Sequence, residues 1–377
     1  MHSEISIESV WKLFGGSAPE LIAQLRSGAD PDHLHASHGV RAAVQDVSME
    51  ILPGEIFVVM GLSGSGKSTL LRMLNGLISP CAGEVMVQGQ SLNAMTARQM
   101  AELRRHQMAM VFQSFALFPH RSVLDNAAFG LEVAGQPRRV RHARAMQALE
   151  RVGLATEARK RPRQLSGGMQ QRVGLARALA LDPPILLMDE AFSALDPLIR
   201  KDMQDLLLEL QAEHRRTVVF ISHDLDEAIR IGDRIALMHS GRLLQCDTAH
   251  RLLHNPANDA VKRFFRDVDV ASVLTVEAIA QPPLKQLVCE PGEPLPDHGN
   301  DTVYVTDRRH HLRGLIRADL GWVDVGAVST LSAGTSVKDA IDAVATSPDP
   351  VPVLDEERRL LGVIGPRQLL LSMEGGG

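Results

Sequence analysis

Cysteines and long apolar runs are both scarce in this sequence. Its three cysteines, Cys81, Cys246 and Cys289, are widely spaced, which argues against a disulfide framework or a cysteine-rich metal site. Apolar runs such as residues 185–188 are far shorter than the roughly 20 residues that a membrane helix needs, so no bilayer-spanning segment is expected. The beginning of the chain also lacks the basic start and apolar stretch of a secretory signal, which favours a cytoplasmic protein.

An excess of charge of one sign is lacking as well, since 40 Lys and Arg residues face 45 Asp and Glu residues. Neither part of the chain has the basic excess that phosphate contacts demand of a nucleic-acid binder, so no nucleic-acid partner is expected. The most basic local run, residues 138–144, is predicted to form a helix with a solvated face. Acidic residues outnumber basic ones from Val270 onward, so that part differs in composition from the rest.

The proportions of apolar and charged residues are those of a folded, soluble globular protein. Hydrophobic residues make up 45% and charged residues 23% of the chain, a balance that allows a sizeable buried core. A length of 377 residues is too great for one ordinary core and predicts two domains.

A glycine-rich loop follows the short apolar run 55–60. It matches the pattern G-x-x-x-x-G-K-[ST], in the strand, loop and helix order that phosphate-binding loops require. Glycines let consecutive backbone N–H groups face phosphate oxygens, Lys67 adds a point charge, and the Ser68 hydroxyl is placed to bind Mg²⁺. The alternative is an ordinary glycine-rich turn. The residues expected to bind the nucleotide here are Gly61, Ser63, Gly64, Ser65, Gly66, Lys67, Ser68 and Thr69.

Two acids follow another apolar run. Residues 185–188 predict a buried parallel strand, and Asp189 and Glu190 come directly after it. Ligand sites in open α/β sheets lie at the carboxyl ends of strands. Two adjacent acids suit two roles, because side chains alternate along a strand, although an acidic strand cap is the alternative. We therefore expect a ligand site at this strand end.

A Ser followed by two glycines, Ser166, Gly167 and Gly168, opens a predicted helix in the run Leu165–Arg172. Such a segment offers bare N–H groups, a hydroxyl and the positive end of a helix dipole to an anion. Taken alone, an ordinary helix N-cap explains it about equally well. Its position between the phosphate loop and the acidic strand end favours anion binding.

Together, and in this order, these motifs resemble those of the ATP-binding cassette (ABC) proteins. The resemblance implies an α/β fold, a P-loop NTPase cassette of residues 1–268 with a RecA-like core and a helical subdomain at about 114–180. It also implies the cofactors ATP and Mg²⁺. Asp189 would hold the metal through water, and Glu190 would orient or deprotonate the attacking water.

Two residues that follow other apolar runs resemble further parts of the family's site. His223, after the run 218–222, resembles the switch histidine that bonds the γ-phosphate, whereas a lone His is usually a structural residue. Gln113, after the run 108–112, resembles the glutamine loop, which contributes to the Mg²⁺ site and reaches toward the membrane partner. His223 and Gln113 therefore join Glu190 as catalytic candidates.

The resemblance implies two more nucleotide-binding candidates. Asp196 lies in residues 193–196, which resemble the loop that contacts the opposite nucleotide site of a cassette dimer. Phe14 stands where family members carry an aromatic residue that stacks on adenine, although core packing is nearly as good an explanation. An insertion of roughly residues 16–40 separates Phe14 from the next predicted strand.

A nucleotide site in this family needs both a phosphate loop and a signature motif, and these lie apart on one cassette. A head-to-tail dimer supplies both. Ser166 and Gly168 of one chain would then close over the γ-phosphate held by Lys67 of the other. Because only one set of motifs occurs in this sequence, the prediction is a homodimer.

Residues 269–377 are predicted to form a second, α+β domain. A capped helix and two strands are predicted within residues 335–364, and residues 302–316 repeat the strand, turn, strand part. The whole resembles a degenerate pair of CBS modules. Nucleotide binding is not expected there, because Arg317 and Gly365 stand where such modules carry Ser or Thr. A basic patch for membrane lipid or a dinucleotide, with solvated surface as the alternative, would consist of Arg308, Arg309, Arg313 and Arg317.

The resemblance narrows further, to ATPase subunits of the glycine betaine/proline importers. It covers nearly the whole chain and is strongest over residues 40–270. It implies the energy-coupling subunit of a bacterial importer for glycine betaine, proline betaine, choline or a related quaternary amine. The implied partners are two transmembrane permease subunits and a periplasmic or surface substrate-binding protein. The implied location is peripheral, at the cytoplasmic face of the cell membrane.

The scarcity of aromatic residues bears on the cargo. A quaternary ammonium group is usually held by aromatic rings, yet these are only 3% of the chain, so the cargo site is expected on another subunit. The alternatives are an importer ATPase for another small solute, a soluble non-transport ABC ATPase, and a regulatory binding module. Soluble members typically carry two cassettes or a long coiled-coil insertion, and intact Lys67, Glu190 and His223 argue against a purely regulatory module.

Overall fold

A computed structural model of the chain describes residues 3–16, 19–266, 270–283, 286–288, 302–317 and 319–374. The chain divides into two compact units, Met1–Phe264 and Phe265–Gly377, called here the N-terminal and C-terminal units. The domain boundary predicted between residues 268 and 269 lies outside the described residues, and so does Cys289. Within the described ranges, no helix is long and apolar enough to cross a membrane.

The N-terminal unit alternates strands and helices along the chain. Its described strands are β1 (Ile5–Phe14), β2 (Arg41–Ile51), β3 (Ile56–Met60), β4 (Ala82–Val87), β5 (Gln90–Ser91), β6 (Met108–Val111), β7 (Ile185–Asp189), β8 (Thr217–Ser222), β9 (Arg234–His239) and β10 (Arg242–Asp247). Its described helices are α1 (Pro19–Arg26), α2 (Pro31–His38), α3 (Lys67–Leu74), α4 (Ala97–His106), α5 (Val123–Ala127), α6 (Phe129–Val133), α7 (Arg138–Arg151), α8 (Gly167–Leu179), α9 (Pro197–Glu213), α10 (Leu225–Ile231), α11 (Ala249–His254) and α12 (Asp259–Phe264). Short 3₁₀ turns lie at Leu92–Ala94, Ala155–Glu157 and Pro162–Gln164.

A six-stranded sheet in the order β10-β9-β3-β8-β7-β6 forms the centre of this unit. Its strands are parallel except β10, which pairs antiparallel with β9 at one edge. Every residue of β3, β7 and β8 is buried, as expected for strands covered on both faces. The α/β cassette fold predicted from the sequence is therefore confirmed.

A second, antiparallel sheet in the order β2-β1-β4-β5 packs against the first through apolar side chains. Residues 46–51 of β2 alternate exposed and buried side chains, and Ile7 of β1 and Val47 and Ile51 of β2 belong to the core. Helix α3 buries Leu70, Leu71 and their neighbours in the same cluster. The N-terminus of α3 is thereby fixed against both sheets.

The insertion predicted between Phe14 and the next strand contains α1 and α2. Side chains of α1, Ile22 and Leu25, are buried in a small cluster with Trp11 and Val40. The insertion therefore has an apolar core of its own beside β1.

Helices α5 to α8 form the helical part of the N-terminal unit. Asn126 of α5 is fully buried there and is a hydrogen-bonding centre. Its carbonyl oxygen accepts from the Phe118 N–H at 2.7 Å, and its amide donates to the carbonyls of Phe118, Arg121 and Ser122 at 3.1, 3.4 and 2.9 Å. One buried side chain thus satisfies the irregular backbone that leads into α5.

The C-terminal unit has two small sheets. Its described strands are β11 (Gln286–Val288), β12 (Val303–Thr306), β13 (Leu312–Arg317), β14 (Gly321–Asp324), β15 (Leu331–Ser332), β16 (Val351–Leu354) and β17 (Leu360–Ile364). The strand orders are β11-β12-β13-β14 and β15-β16-β17. The described helices are α13 (Val270–Val273), α14 (Val276–Ile279), α15 (Val337–Thr346) and α16 (Pro366–Glu374), with a 3₁₀ turn at Val325–Ala327.

The repeat predicted in this unit is visible in two matching turns. Asp307 and His310 begin and end the turn between β12 and β13, and Asp355 and Arg358 do so between β16 and β17. In each turn the last residue donates its N–H to the Asp carbonyl, at 2.9 and 3.0 Å, and has a left-handed backbone, with φ 64° and 61°. A bridge between His311 and Arg359 joins the turns. The unit is an α+β domain like a CBS pair, as the sequence predicts.

Replacing Asn126 tests the importance of this centre. Asn126→Ala leaves an N–H and several carbonyls without their buried partner, so we expect it to lower the free energy of unfolding of the helical region by about 2 to 4 kcal/mol. Far-ultraviolet circular dichroism through a urea titration measures the change.

The matched control is Asn93→Ala, because exposed Asn93 donates to a single carbonyl, that of Gly83, at 2.9 Å. It should cost about 1 kcal/mol or less. Equal losses in the two variants would contradict the central role of Asn126.

Candidate active site

The strand order of the central sheet brings four predicted site segments to one edge. The phosphate loop follows β3, His223 follows β8, Glu190 follows β7 and Gln113 comes two residues after β6. These four strands are neighbours in the order β3-β8-β7-β6 and run parallel. Their carboxyl ends therefore meet at the edge where ligands of open α/β sheets bind.

Three loop glycines have backbone conformations that other residues rarely adopt, with φ 154° at Gly61, 80° at Gly64 and 98° at Gly66. A Cβ on Gly66 would overlap the carbonyl oxygen of Ala43, and one on Gly61 would overlap that of Met238. Gly66 caps α3 without a side-chain acceptor. The first N–H groups of α3 thus remain available to an anion.

The side chain of Lys67 bonds to the backbone of the phosphate loop. Its side chain is only 4% exposed, and its ammonium donates to the carbonyls of Gly61 at 2.8 Å and Leu62 at 3.1 Å. Burial lowers the pKa of Lys67 from its usual range, while the carboxylates of Glu190 and Asp189 act in the opposite direction. The loop is therefore held around a buried cation before any ligand enters.

Two further loop residues fit a phosphate and a metal ion. The buried Ser65 hydroxyl has no hydrogen-bond partner among the described residues, which suits a group that bonds to a ligand. The Ser68 hydroxyl donates to Asp189 Oδ1 at 2.8 Å, and Asp189 is buried at the end of β7. A hydroxyl and a carboxylate side by side are the oxygen donors that Mg²⁺ prefers. Ser63 is exposed at the loop tip, and Thr69 is half-buried in α3.

The carboxylate of Glu190 contacts two of the other predicted residues, Gln113 and His223. Its Oε2 accepts from Gln113 Nε2 at 3.2 Å and lies 3.3 Å from His223 Nδ1. The backbone of Glu190 is left-handed, with φ 45°, a conformation that costs about 1 kcal/mol or more outside glycine. The Ser193 hydroxyl donates to its carbonyl at 2.9 Å and helps to hold this shape. A carboxylate so fixed, with Oε2 bonded and Oε1 without a hydrogen bond from the described residues, can orient a water molecule and accept its proton.

Ser166 and Asp196 serve as helix caps within the chain. Ser166 accepts from the Met169 N–H at 3.3 Å at the start of α8, and Asp196 accepts from the Ile199 N–H at 3.0 Å at the start of α9. Ser166 and Gly167 are exposed, and Gly168 is half-buried. Among the described residues, no hydrogen bond or ion pair joins these four to the phosphate loop. Their role at a nucleotide site stays a prediction.

Phe14 ends β1 at the side of the phosphate loop. It is 42% exposed, and it pairs in register with Arg41 of β2. The guanidinium of Arg41 lies 3.5 Å from the position that a Cβ on Gly64 would take. The Lys12 ammonium lies 5.5 Å from the centre of the Phe14 ring. The exposure of Phe14 argues against core packing, which was the alternative explanation.

Two residues that support the site were not predicted from the sequence. Arg200 donates to Asp224 at 3.0 Å and to the Leu195 carbonyl at 3.2 Å, which ties the loop before α9 to the residue after His223. Buried Glu227 accepts from the Ser222 hydroxyl at 2.5 Å, and burial raises its pKa. Two features of the sequence could have drawn attention to these residues. Arg200 stands one helical turn after Asp196, and Glu227 is a carboxylate on the buried side of a short helix.

The N-terminal unit matches a known family model. Residues 44–193 match the model described as "ABC transporter". A solved dimeric structure of MJ0796, a bacterial ABC transporter cassette, superimposes with a TM-score of 0.55 and 32% identity. That match covers 65% of this chain and 98% of the other.

Two curated relatives match over nearly the full length. The glycine betaine/proline betaine transport system ATP-binding protein ProV of Salmonella typhimurium is 44% identical, over 100% of this chain and 99% of its own. The glycine betaine transport ATP-binding protein OpuAA of Bacillus subtilis is 42% identical, over 99% of this chain and 93% of its own. The similarity therefore includes both units.

A methyl group at Gly66 should disable the phosphate loop. We expect Gly66→Ala to lose most of the rise in melting temperature that ATP gives the unaltered protein, because the new Cβ must displace either the loop or Ala43. Differential scanning fluorimetry with and without ATP measures this.

Gly89→Ala is the matched control, since Gly89 also has a positive φ, 74°, but has open space around it. It should cost about 1 kcal/mol for backbone strain and keep the response to ATP. A full ATP response in Gly66→Ala would refute the steric argument.

Proposed function

This chain belongs to the family of ABC importer ATP-binding subunits that includes ProV and OpuAA, and from that premise we propose its cargo and its mechanism. The chain hydrolyses ATP to drive uptake of glycine betaine, proline betaine, choline or a related quaternary amine. The similarity to the glycine betaine relatives over both units carries this proposal. A purely regulatory module or a soluble ATPase of another pathway lacks comparable support.

The catalytic roles follow from the contacts at the sheet edge. Lys67 and the N–H groups of the loop bind the β- and γ-phosphates. Ser68 and Asp189, which are hydrogen-bonded to each other, and Gln113, which contacts Glu190, would hold Mg²⁺, which when bound neutralises charge on the phosphate oxygens. Glu190 accepts a proton from the water whose oxygen bonds to the γ-phosphorus, while the bond from that phosphorus to the oxygen of ADP breaks.

Gln113 and His223 position this carboxylate. Both contact the same oxygen of Glu190, Oε2, which leaves Oε1 for the water. His223 is exposed and can turn its ring toward a γ-phosphate. Phe14 would support the adenine ring at the other end of the nucleotide, beside Arg41.

A homodimer completes the site. Ser166 and Gly167 are exposed at the N-terminus of α8 but have no bond to the phosphate loop of their own chain, so they are free to face the nucleotide of a second copy. Asp196 caps α9, with the exposed Leu198 two residues further on, and would lie at the same interface. The dimeric form of the similar MJ0796 cassette supports this arrangement.

The remaining partners are membrane proteins and a binding protein. We place the dimer at the cytoplasmic face of the membrane, on two permease subunits that receive cargo from a periplasmic or surface substrate-binding protein. A lipid contact of the C-terminal unit would use the exposed turn with Arg308 and Arg309. Arg313 and Arg317 pair with Asp307 at 2.8 Å and Asp349 at 3.1 Å.

The cargo is tested with the assembled importer. The chain is isolated with the permease that co-purifies with it, reconstituted in vesicles, and supplied with the substrate-binding protein. Glycine betaine should stimulate ATP hydrolysis severalfold, whereas methionine at equal concentration should not. Stimulation by an unrelated solute would redirect the proposal to another cargo, and failure to retain any permease would favour a soluble ATPase.

Glu190→Gln separates ATP binding from hydrolysis. The amide cannot accept a proton, so we expect the hydrolysis rate to fall by about 10² to 10⁴ while ATP binding persists. Since ATP is no longer consumed, a dimer should accumulate on a sizing column when ATP is present. Turnover near that of the unaltered protein would contradict the role of Glu190.

Adding Ser166→Arg to this variant tests the shared site. The long cation should block closure, so the ATP-dependent dimer should disappear although each chain still binds ATP. A dimer that survives both substitutions would contradict the placement of Ser166 at the interface.

A further inference from the structure

Helix α8, which begins at the signature residues, also contacts the segment that follows Gln113. Near the end of α8, Arg177 Nη1 donates to the Ala116 carbonyl at 2.7 Å, and Nη2 donates to the Phe115 carbonyl at 3.3 Å. One guanidinium therefore binds two successive carbonyls of a segment that is 61 residues away in the chain.

The same helix touches this segment at two other points. A Cβ on Gly167 would lie 3.6 Å from the ring of Phe115, and one on Gly174 would lie 3.8 Å from the Phe115 carbonyl oxygen. The start, middle and end of α8 thus all face Phe115 or Ala116. The segment has no helix or strand of its own between β6 and α5, so its path is set by these contacts together with the bonds of Asn126 to Phe118 and Arg121.

The conformation of the segment is strained. Ala116 is left-handed, with φ 46°, which costs about 1 kcal/mol or more for a residue with a Cβ. Such a conformation persists only where surrounding contacts hold the backbone in place. The two bonds from Arg177 fix the carbonyl of this strained residue and that of Phe115 before it.

The guanidinium of Arg177 interacts with these two carbonyls. It forms no ion pair with a described carboxylate, and its burial lowers the pKa of its guanidinium. Because a half-buried cation without a counterion needs strong acceptors, withdrawing the two carbonyls would be costly. Helix α8 and the segment after Gln113 should therefore move together.

We propose that Arg177 is a positioning residue that links the signature helix to Gln113 and, through it, to Glu190. Gln113 lies two residues before Phe115, and its amide reaches Glu190 Oε2 at 3.2 Å. A shift of α8 when the dimer closes would therefore change the contact between Gln113 and the catalytic carboxylate. This inference rests on the roles proposed above for Gln113 and Glu190.

A double-mutant cycle in the full-length chain tests the link. Arg177→Met removes both donors but keeps an unbranched side chain. We expect it to lower the kcat of ATP hydrolysis by about tenfold to a hundredfold with little change in the KM for ATP, because a catalytic group is misplaced while the phosphate loop stays intact. In a Gln113→Ala background the same substitution should change kcat by less than about twofold.

Two further variants separate positioning from folding. Arg104→Met is the matched control, because Arg104 is also half-buried and donates to two successive carbonyls, those of Asn75 at 3.5 Å and Gly76 at 3.4 Å, neither of which belongs to the segment after Gln113. It should lower the melting temperature to a similar extent and leave kcat near its original value. Arg177→Lys, which can reach one carbonyl, should recover part of the lost rate. If Arg177→Met does not fold, the cycle is run with Arg177→Lys.

The outcomes are distinct. If Arg177→Met lowers kcat equally in the presence and absence of Gln113, or lowers it no more than Arg104→Met does, the link is wrong although Gln113 can still be catalytic. If Gln113→Ala alone leaves kcat unchanged, the proposed role of Gln113 is wrong, and the link has no function to serve.

Discussion

The site depends on a single constraint, which is that four parallel strands must end side by side. No one loop carries the chemistry, because the phosphate loop follows β3, Asp189 and Glu190 lie at the end of β7, His223 follows β8 and Gln113 comes after β6. Their relative positions are fixed by the pairing of β3, β7 and β8, in which every residue is buried. Burial of each large apolar side chain contributes about 1.5 to 3 kcal/mol, so the edge is held rigidly by residues that never touch a ligand.

Opposite charges are brought together at this edge at some cost. Lys67 is nearly inaccessible, and two carboxylates lie close enough to influence its pKa. Its ammonium satisfies the carbonyls of its own loop rather than forming an ion pair with either acid. A phosphate chain that enters can therefore take up donors already aligned, which lowers the reorganisation that binding and catalysis would otherwise require. The left-handed backbone of Glu190 stores strain at the same place.

The sequence allows the prediction of those parts of the site that depend on local pattern. Apolar runs bounded by glycine or acid located β3 and β7 to within a residue, and the glycine spacing identified the loop. Contacts such as Arg200 with Asp224 could not be predicted in this way, because they join side chains and carbonyls of separate loops. An arginine on a helix surface gives no sign in sequence of which carbonyls it will meet. The matching turns of the C-terminal unit were predictable because each begins with an Asp whose side chain accepts from a backbone N–H a few residues later, that of Arg309 or Arg359.

The insertion between β1 and β2 leaves and returns at almost the same point. Phe14 and Arg41 are partners in the β-ladder, and Gly15 and Gly39 approach so closely that a Cβ on Gly15 would lie 2.5 Å from the Gly39 carbonyl oxygen. The pairing of β1 with β2 is thus complete where the insertion begins, and a small apolar cluster that includes Trp11 of β1 holds α1. Because loop-closure entropy changes slowly with length, evolution can lengthen, shorten or replace this segment without retuning the nucleotide site beside it.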